Sequence, residues 1–198
     1  NQIGDDELTN KMTVHDMAMC GVFTAFITVG AYIHIPLPFG DYYTLQLLFV
    51  LLSGLLLGAK CGTIAAALYV GLGLVGLPVF AGGGGPGYVL NPSFGYLIGF
   101  IAGAWVAGMM IKHLQPVNLQ HLLIACYAAM VIVYVFGLPY KYFILNFYMH
   151  TPITWALIFA SCFPIDIPCD VVLCFCCACL VQKMYPAVSN LFKTATVK

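Results

Sequence analysis

Two carboxylates, Asp166 and Asp170, are the only ones deep in the apolar sequence, between Ile153–Cys162 and Val171–Val181. An acid within a membrane span is costly and is by default a functional-site candidate. Four residues apart, the two would share one face of a helix. Pro164 and Pro168 are expected to break that helix, which would let an acid line a cavity. The alternative is capping, since aspartate satisfies free N–H groups at a helix start, and Asp170 fits a first turn behind Pro168. Asn91, just before Pro92, has the same two readings: an N-cap of the next helix, or an amide offered at a cavity mouth. The run Gly82–Gly87 lets backbone approach a ligand closely, or is simply a flexible loop.

Other motifs carry less. No Gly-Lys-Ser/Thr follows the glycine run, so it is not a phosphate loop, and any ATP hydrolysis would belong to another subunit. Cys174/Cys177 and Cys176/Cys179 have the spacing of redox or zinc sites but lie mid-span without histidine. They read as packing residues, because zinc needs four converging ligands. No nucleophile–base pair or metal cluster is apparent, so neither catalytic nor metal-binding residues are expected, and no cofactor. Gly21 and Ala25 form a small-xxx-small pair, which suits close helix packing either within the chain or against another membrane subunit.

The elements that must position these residues are membrane helices. Of 198 residues, 62% are hydrophobic and 7% charged, against roughly 25% charged in a soluble domain. A chain so poor in charge cannot cover a water-facing surface, and its partner on most faces is lipid. The seven cations are all lysine and form no basic stripe, which excludes nucleic acid. The apolar runs predict an all-α bundle of six transmembrane helices, over about Met12–His34, Tyr43–Leu57, Thr63–Leu77, Pro92–Ile111, Leu122–Leu138 and an interrupted Ile153–Val181. A turn is expected at Gly58-Ala59-Lys60-Cys61-Gly62 and a loop at Pro36–Asp41. The first run spans without a cleavage pattern and is expected to be retained.

Six spans put both termini on one side. That side would hold Lys11, Lys60, Lys112, Lys183, Lys193 and Lys198, with Lys141 alone opposite. Such asymmetry predicts cytoplasmic termini. The domain plan is a cytoplasmic tail over 1–11, a transmembrane binding domain over 12–186 and a second cytoplasmic tail over 187–198. The tyrosines at 42–43 and 140–148 would then sit at the outer interface.

Several segments together resemble the BioY family, the biotin-specific S components of energy-coupling-factor (ECF) transporters. They are Ile35-Pro36-Leu37-Pro38, Thr44-Leu45-Gln46, the stretch Ser53–Gly58, the stretch Gly76–Gly84, and Phe94-Gly95-Tyr96-Leu97-Ile98-Gly99-Phe100. The resemblance covers about residues 18 to 186. It implies six helices in the plasma membrane, high-affinity capture of biotin from outside, and no ATPase. The implied partners are a transmembrane T component and two ATP-binding subunits, with Gly21 and Ala25 on the docking face.

The family's Pro-x-Asp motif matches Pro168-Cys169-Asp170, while Pro164-Ile165-Asp166 has the same local form. Many members carry lysine three residues after that aspartate; here the position is Leu173. The biotin carboxylate would therefore need another donor: N–H groups of Gly83 and Gly84, Tyr88, or Lys141 from the outer loop. Biotin's ureido ring wants donors and acceptors, for which Asp170, Asp166, Asn91 and Gln46 are candidates. Its apolar parts want walls such as Tyr42, Tyr43, Phe80, Tyr88, Phe94 and Tyr96. The competing reading is a stand-alone secondary transporter or channel, against which no two-fold internal repeat is visible.

Overall fold

The computed structural model describes residues 12–37, 41–162, 164 and 166–195. The tail over 1–11 with Lys11, the loop residues Pro38 and Gly40, and Lys198 lie outside the described residues. The chain is mostly helical. Helix α1 spans Val14–Tyr32. A hairpin of two short strands follows, β1 (His34–Leu37) and β2 (Asp41–Thr44), paired antiparallel with Ile35 opposite Tyr43 and Pro36 opposite Tyr42. These strands depart from the all-α expectation. They end the first helix before His34 and move Tyr43 out of the second.

Helix α2 runs Gln46–Val75, but Gly58 inside it has φ 80 and ψ 175, a conformation open essentially to glycine alone. The chain reverses there. A Cβ on Gly62 would lie 2.7 Å from the Gly54 Cα, although residues eight apart in a straight helix are about 12 Å apart. α2 is therefore two arms, 46–57 and 59–75, matching the two short spans and the turn read from the sequence. Helix α3 is Phe94–His113 and α4 is Leu119–Phe143, continued by a π turn over Ile144–Tyr148. Helix α5 is short, Trp155–Cys162, and α6 spans Asp166–Ala195.

Two expectations need correction here. α4 does not stop at Leu138 but passes Pro139, so Lys141 stands in a helix and not in an outer loop, and it is 1% exposed. Proline is tolerated in membrane helices because neighbouring groups can re-satisfy the freed carbonyl. Nor does Pro168 break the helix between the two acids. It sits in the first turn of α6, where its missing N–H would have had no partner anyway.

α1 packs on α2, α2 on α3 and α3 on α4, while α6 closes the ring between α4 and α2. Side-chain bonds fix the first contact: Thr24 Oγ1 donates to the Ala65 carbonyl at 3.0 Å, and Cys20 Sγ to the Cys61 carbonyl at 3.4 Å. Among the described residues, five helices are long and apolar enough to cross a membrane, α2 being counted as one. Exposed Lys60, Lys112 and Lys183 mark one end of the bundle. The β hairpin, the glycine run and the start of α6 mark the other, the hairpin end.

Candidate functional site

At the hairpin end the helices enclose a cavity of about 580 Å³ of empty space, part of it open to solvent. β2 contributes Tyr42, Tyr43 and Thr44, α2 contributes Gln46 and Leu47, and the glycine segment contributes Ala81 and Tyr88. Tyr96, Leu97 and Phe100 come from α3, Val133 and Tyr134 from α4, and Asp166 and Asp170 from α6. Most of the wall is aromatic or aliphatic, with a few convergent polar groups.

The polar groups are held in fixed directions. Tyr134 donates to Asp170 Oδ2 at 2.7 Å, and Asp170 is 8% exposed. Tyr43 reaches the same carboxylate from the hairpin. Burial and the nearby Asp170 charge push the Tyr43 hydroxyl's pKa upward, so it stays protonated and donates. Asp170 is thus an acceptor oriented by two phenols. It lies one turn inside α6, so it is not a cap; Asp166 takes the first-turn position and is 7% exposed.

Gln46 lies at the start of α2, pressed against Gly30 of α1. Its Oε1 accepts from Thr44 Oγ1 at 3.0 Å, while Nε2 is buried beside the Tyr69 hydroxyl, with which it makes no hydrogen bond of full geometry. A buried amide engaged this weakly can still donate to an acceptor brought into the cavity. Asn91 acts from behind the wall. Its Oδ1 accepts from the Ser93 N–H at 3.0 Å and from Ser93 Oγ at 2.8 Å, and Ser93 Oγ is 3.2 Å from the Tyr88 hydroxyl. With the Ser93 proton given to Asn91, Tyr88 donates to Ser93. Asn91 thus caps the turn before α3, which begins at Phe94 and not at Pro92.

Of the residues proposed from the sequence, Asp170, Asp166, Gln46, Tyr42, Tyr43, Tyr88 and Tyr96 meet in this lining. Phe80, 1% exposed, stands behind Tyr88 with ring centroids 4.5 Å apart, and Phe94 packs on Tyr140 at 5.8 Å. Gly83 and Gly84 fall outside the lining. The Gly83 N–H donates to the Phe80 carbonyl at 3.0 Å, and a Cβ on Gly84 would lie 2.1 Å from the Leu77 carbonyl oxygen. The glycine run therefore folds the loop tightly and presents its neighbours Ala81 and Tyr88. Lys141 is also outside the lining. Gly21 and Ala25 lie on the exposed face of α1, and a Cβ on Gly21 would meet nothing within 4 Å. Cys174 and Cys177 are buried and Cys176 is exposed, and no metal-binding cluster occurs among the described residues.

Sequence reasoning passed over Tyr134, Leu97, Phe100 and Val133. The available signal for Tyr134 was a hydroxyl deep in an apolar span, a signal that Tyr127 shares.

Comparison with known proteins agrees with this geometry. The profile of the BioY family matches residues 7–190. A probable biotin transporter BioY of Lysinibacillus sphaericus is 41% identical over 178 residues, covering 90% of each chain. The biotin transporter BioY of Thermotoga maritima is 44% identical over 141 residues, 69% of this chain and 78% of that one. Among solved structures, the S-component for biotin from an ECF-type ABC transporter superposes with a TM-score of 0.67 at 28% identity, covering 89% of this chain and 95% of that one.

Proposed function

The chain belongs to the BioY family, and on that premise we propose that it is the membrane-embedded biotin-binding subunit of an ECF transporter. The observation that carries this reading is the cavity lining. Asp170, oriented by Tyr134 and Tyr43, accepts the ureido N–H groups, and the buried Nε2 of Gln46 donates to the ureido oxygen. Tyr88, Tyr96, Leu97 and Phe100 surround the thioether ring and chain. The binding step needs no cofactor. The family is one of transporters and not enzymes.

The reversal at Gly58 supports six membrane crossings, because it divides the 30-residue α2 into two arms. Exposed Lys60, Lys112 and Lys183 at one end support an arrangement with both termini cytoplasmic in the plasma membrane. The cavity then faces outward. The binding domain over 12–186 meets a transmembrane T component, which in turn carries two ATP-binding subunits. The open face of α1 around Gly21 and Ala25 suits close helix approach to that partner.

Mass spectrometry of ligand released from the denatured, purified protein tests the reading. Biotin should be present in proportion to chain, and absent after purification of the Asp170→Ala variant. A different small molecule at that stoichiometry would overturn the assignment.

A further inference from the structure

The cavity lining holds two acids and no base. Among the described residues that form it, none is lysine or histidine, and the sequence contains no arginine. Lys141 is buried in α4 outside the lining. His34 stands outside it as well, edge-on to Tyr42 at a centroid distance of 5.3 Å. Lys60, Lys112 and Lys183 lie at the far end of the bundle. The N-terminus of α6 contributes roughly half a positive charge, which the carboxylates of Asp166 and Asp170 on that same helix already use.

Free biotin is an anion. A carboxylate drawn into this space would meet neutral hydroxyls and two acids, in surroundings that strengthen repulsion between like charges. Burying a charge without a counter-charge is unfavourable. The ureido ring suffers no such penalty: it is neutral, and the 3%-exposed Gln46 amide, whose Nε2 is only weakly engaged by Tyr69, can answer its oxygen. The polar groups therefore favour the ring end of the ligand and offer nothing to an acid at the other end.

We propose that the ureido ring fills the cavity floor while the carboxyl end stays at the hairpin mouth, so that biotin masked as a neutral amide, including biotinyl-lysine, is a ligand as good as the free vitamin. The proposal rests on the reading of the cavity as a biotin site. Its substrate class is biotin amides.

The test is displacement of labelled biotin from the full chain in lipid nanodiscs by biotin, biotinamide and biotinyl-lysine. The masked forms should compete within about 3-fold of free biotin, whereas an analogue with sulfur for the ureido oxygen should be weaker by about 10-fold or more. Masked forms weaker by about 30-fold or more, beside tight free biotin, would overturn the proposal and leave the biotin reading intact. Failure of labelled biotin itself to bind would bring down the biotin reading and this inference together. Lys141→Met supplies a second readout, because it should leave the ratio of masked to free affinity unchanged. Selective loss of free biotin in that variant would identify Lys141 as the carboxylate's partner and refute the proposal.

Discussion

Asp170→Asn is the most informative single change. Tyr134 donates to Asp170 Oδ2 at 2.7 Å and Tyr43 reaches the same group. A carboxylate has lone pairs enough for both phenols and for a ligand N–H. A carboxamide has one acceptor oxygen, and the phenols hold it. The amide NH2 must then point into the cavity, where it meets the ureido N–H as donor against donor. The lost charge-assisted bond amounts to about 1.5–3 kcal/mol, or roughly 10- to 150-fold in Kd. The mispaired donor pushes the result toward the upper end. Asp166→Asn should cost less, since it lies one turn nearer the helix start. Titration of each variant with labelled biotin in nanodiscs, beside a melting curve to check folding, measures both. Asp170→Asn binding within about 3-fold of the unsubstituted chain, or Asp166→Asn as the weaker binder of the two, would refute this reasoning.

Gln46→Leu should weaken biotin by about 10-fold, because it removes the Nε2 donor and the acceptor of Thr44 Oγ1; binding curves beside an unfolding curve on one preparation measure it, and an affinity within about 3-fold of the unsubstituted chain would remove Gln46 from the site. Gly58→Val should destabilise by about 1–3 kcal/mol through the backbone alone, since a Cβ there meets no atom within 4 Å; thermal unfolding measures it, and an unchanged midpoint would speak against a reversal at Gly58. Gly21→Leu and Ala25→Trp should leave biotin binding intact and weaken capture of the T component in a pull-down, because these positions face outward. Unaltered capture would move the docking face elsewhere.

Much of this architecture was legible in the residues. Low charge and long apolar runs fix a membrane bundle, and the glycine beside Lys60 marks the reversal within α2. The two buried acids stood out because no other carboxylate lies deep in the apolar sequence. Pro139 misled: a proline reads as a stop, but helix packing carried α4 past it and took Lys141 inward. Gly83 and Gly84 misled differently, since a glycine run looks the same whether it meets a ligand or bends a chain. Tyr134 was hidden by context, because which face of an apolar helix turns inward depends on its neighbours, and α6 reaches α4 only in the folded bundle.

The central claim is that this chain alone holds biotin in the cavity under the hairpin. Equilibrium binding of labelled biotin to the purified chain in nanodiscs, with no partner subunit and no ATP, tests it directly. One saturable site per chain at nanomolar biotin, lost on Asp170→Ala, is the expected result. No saturable binding at any biotin concentration reached, or binding indifferent to Asp170, would contradict it.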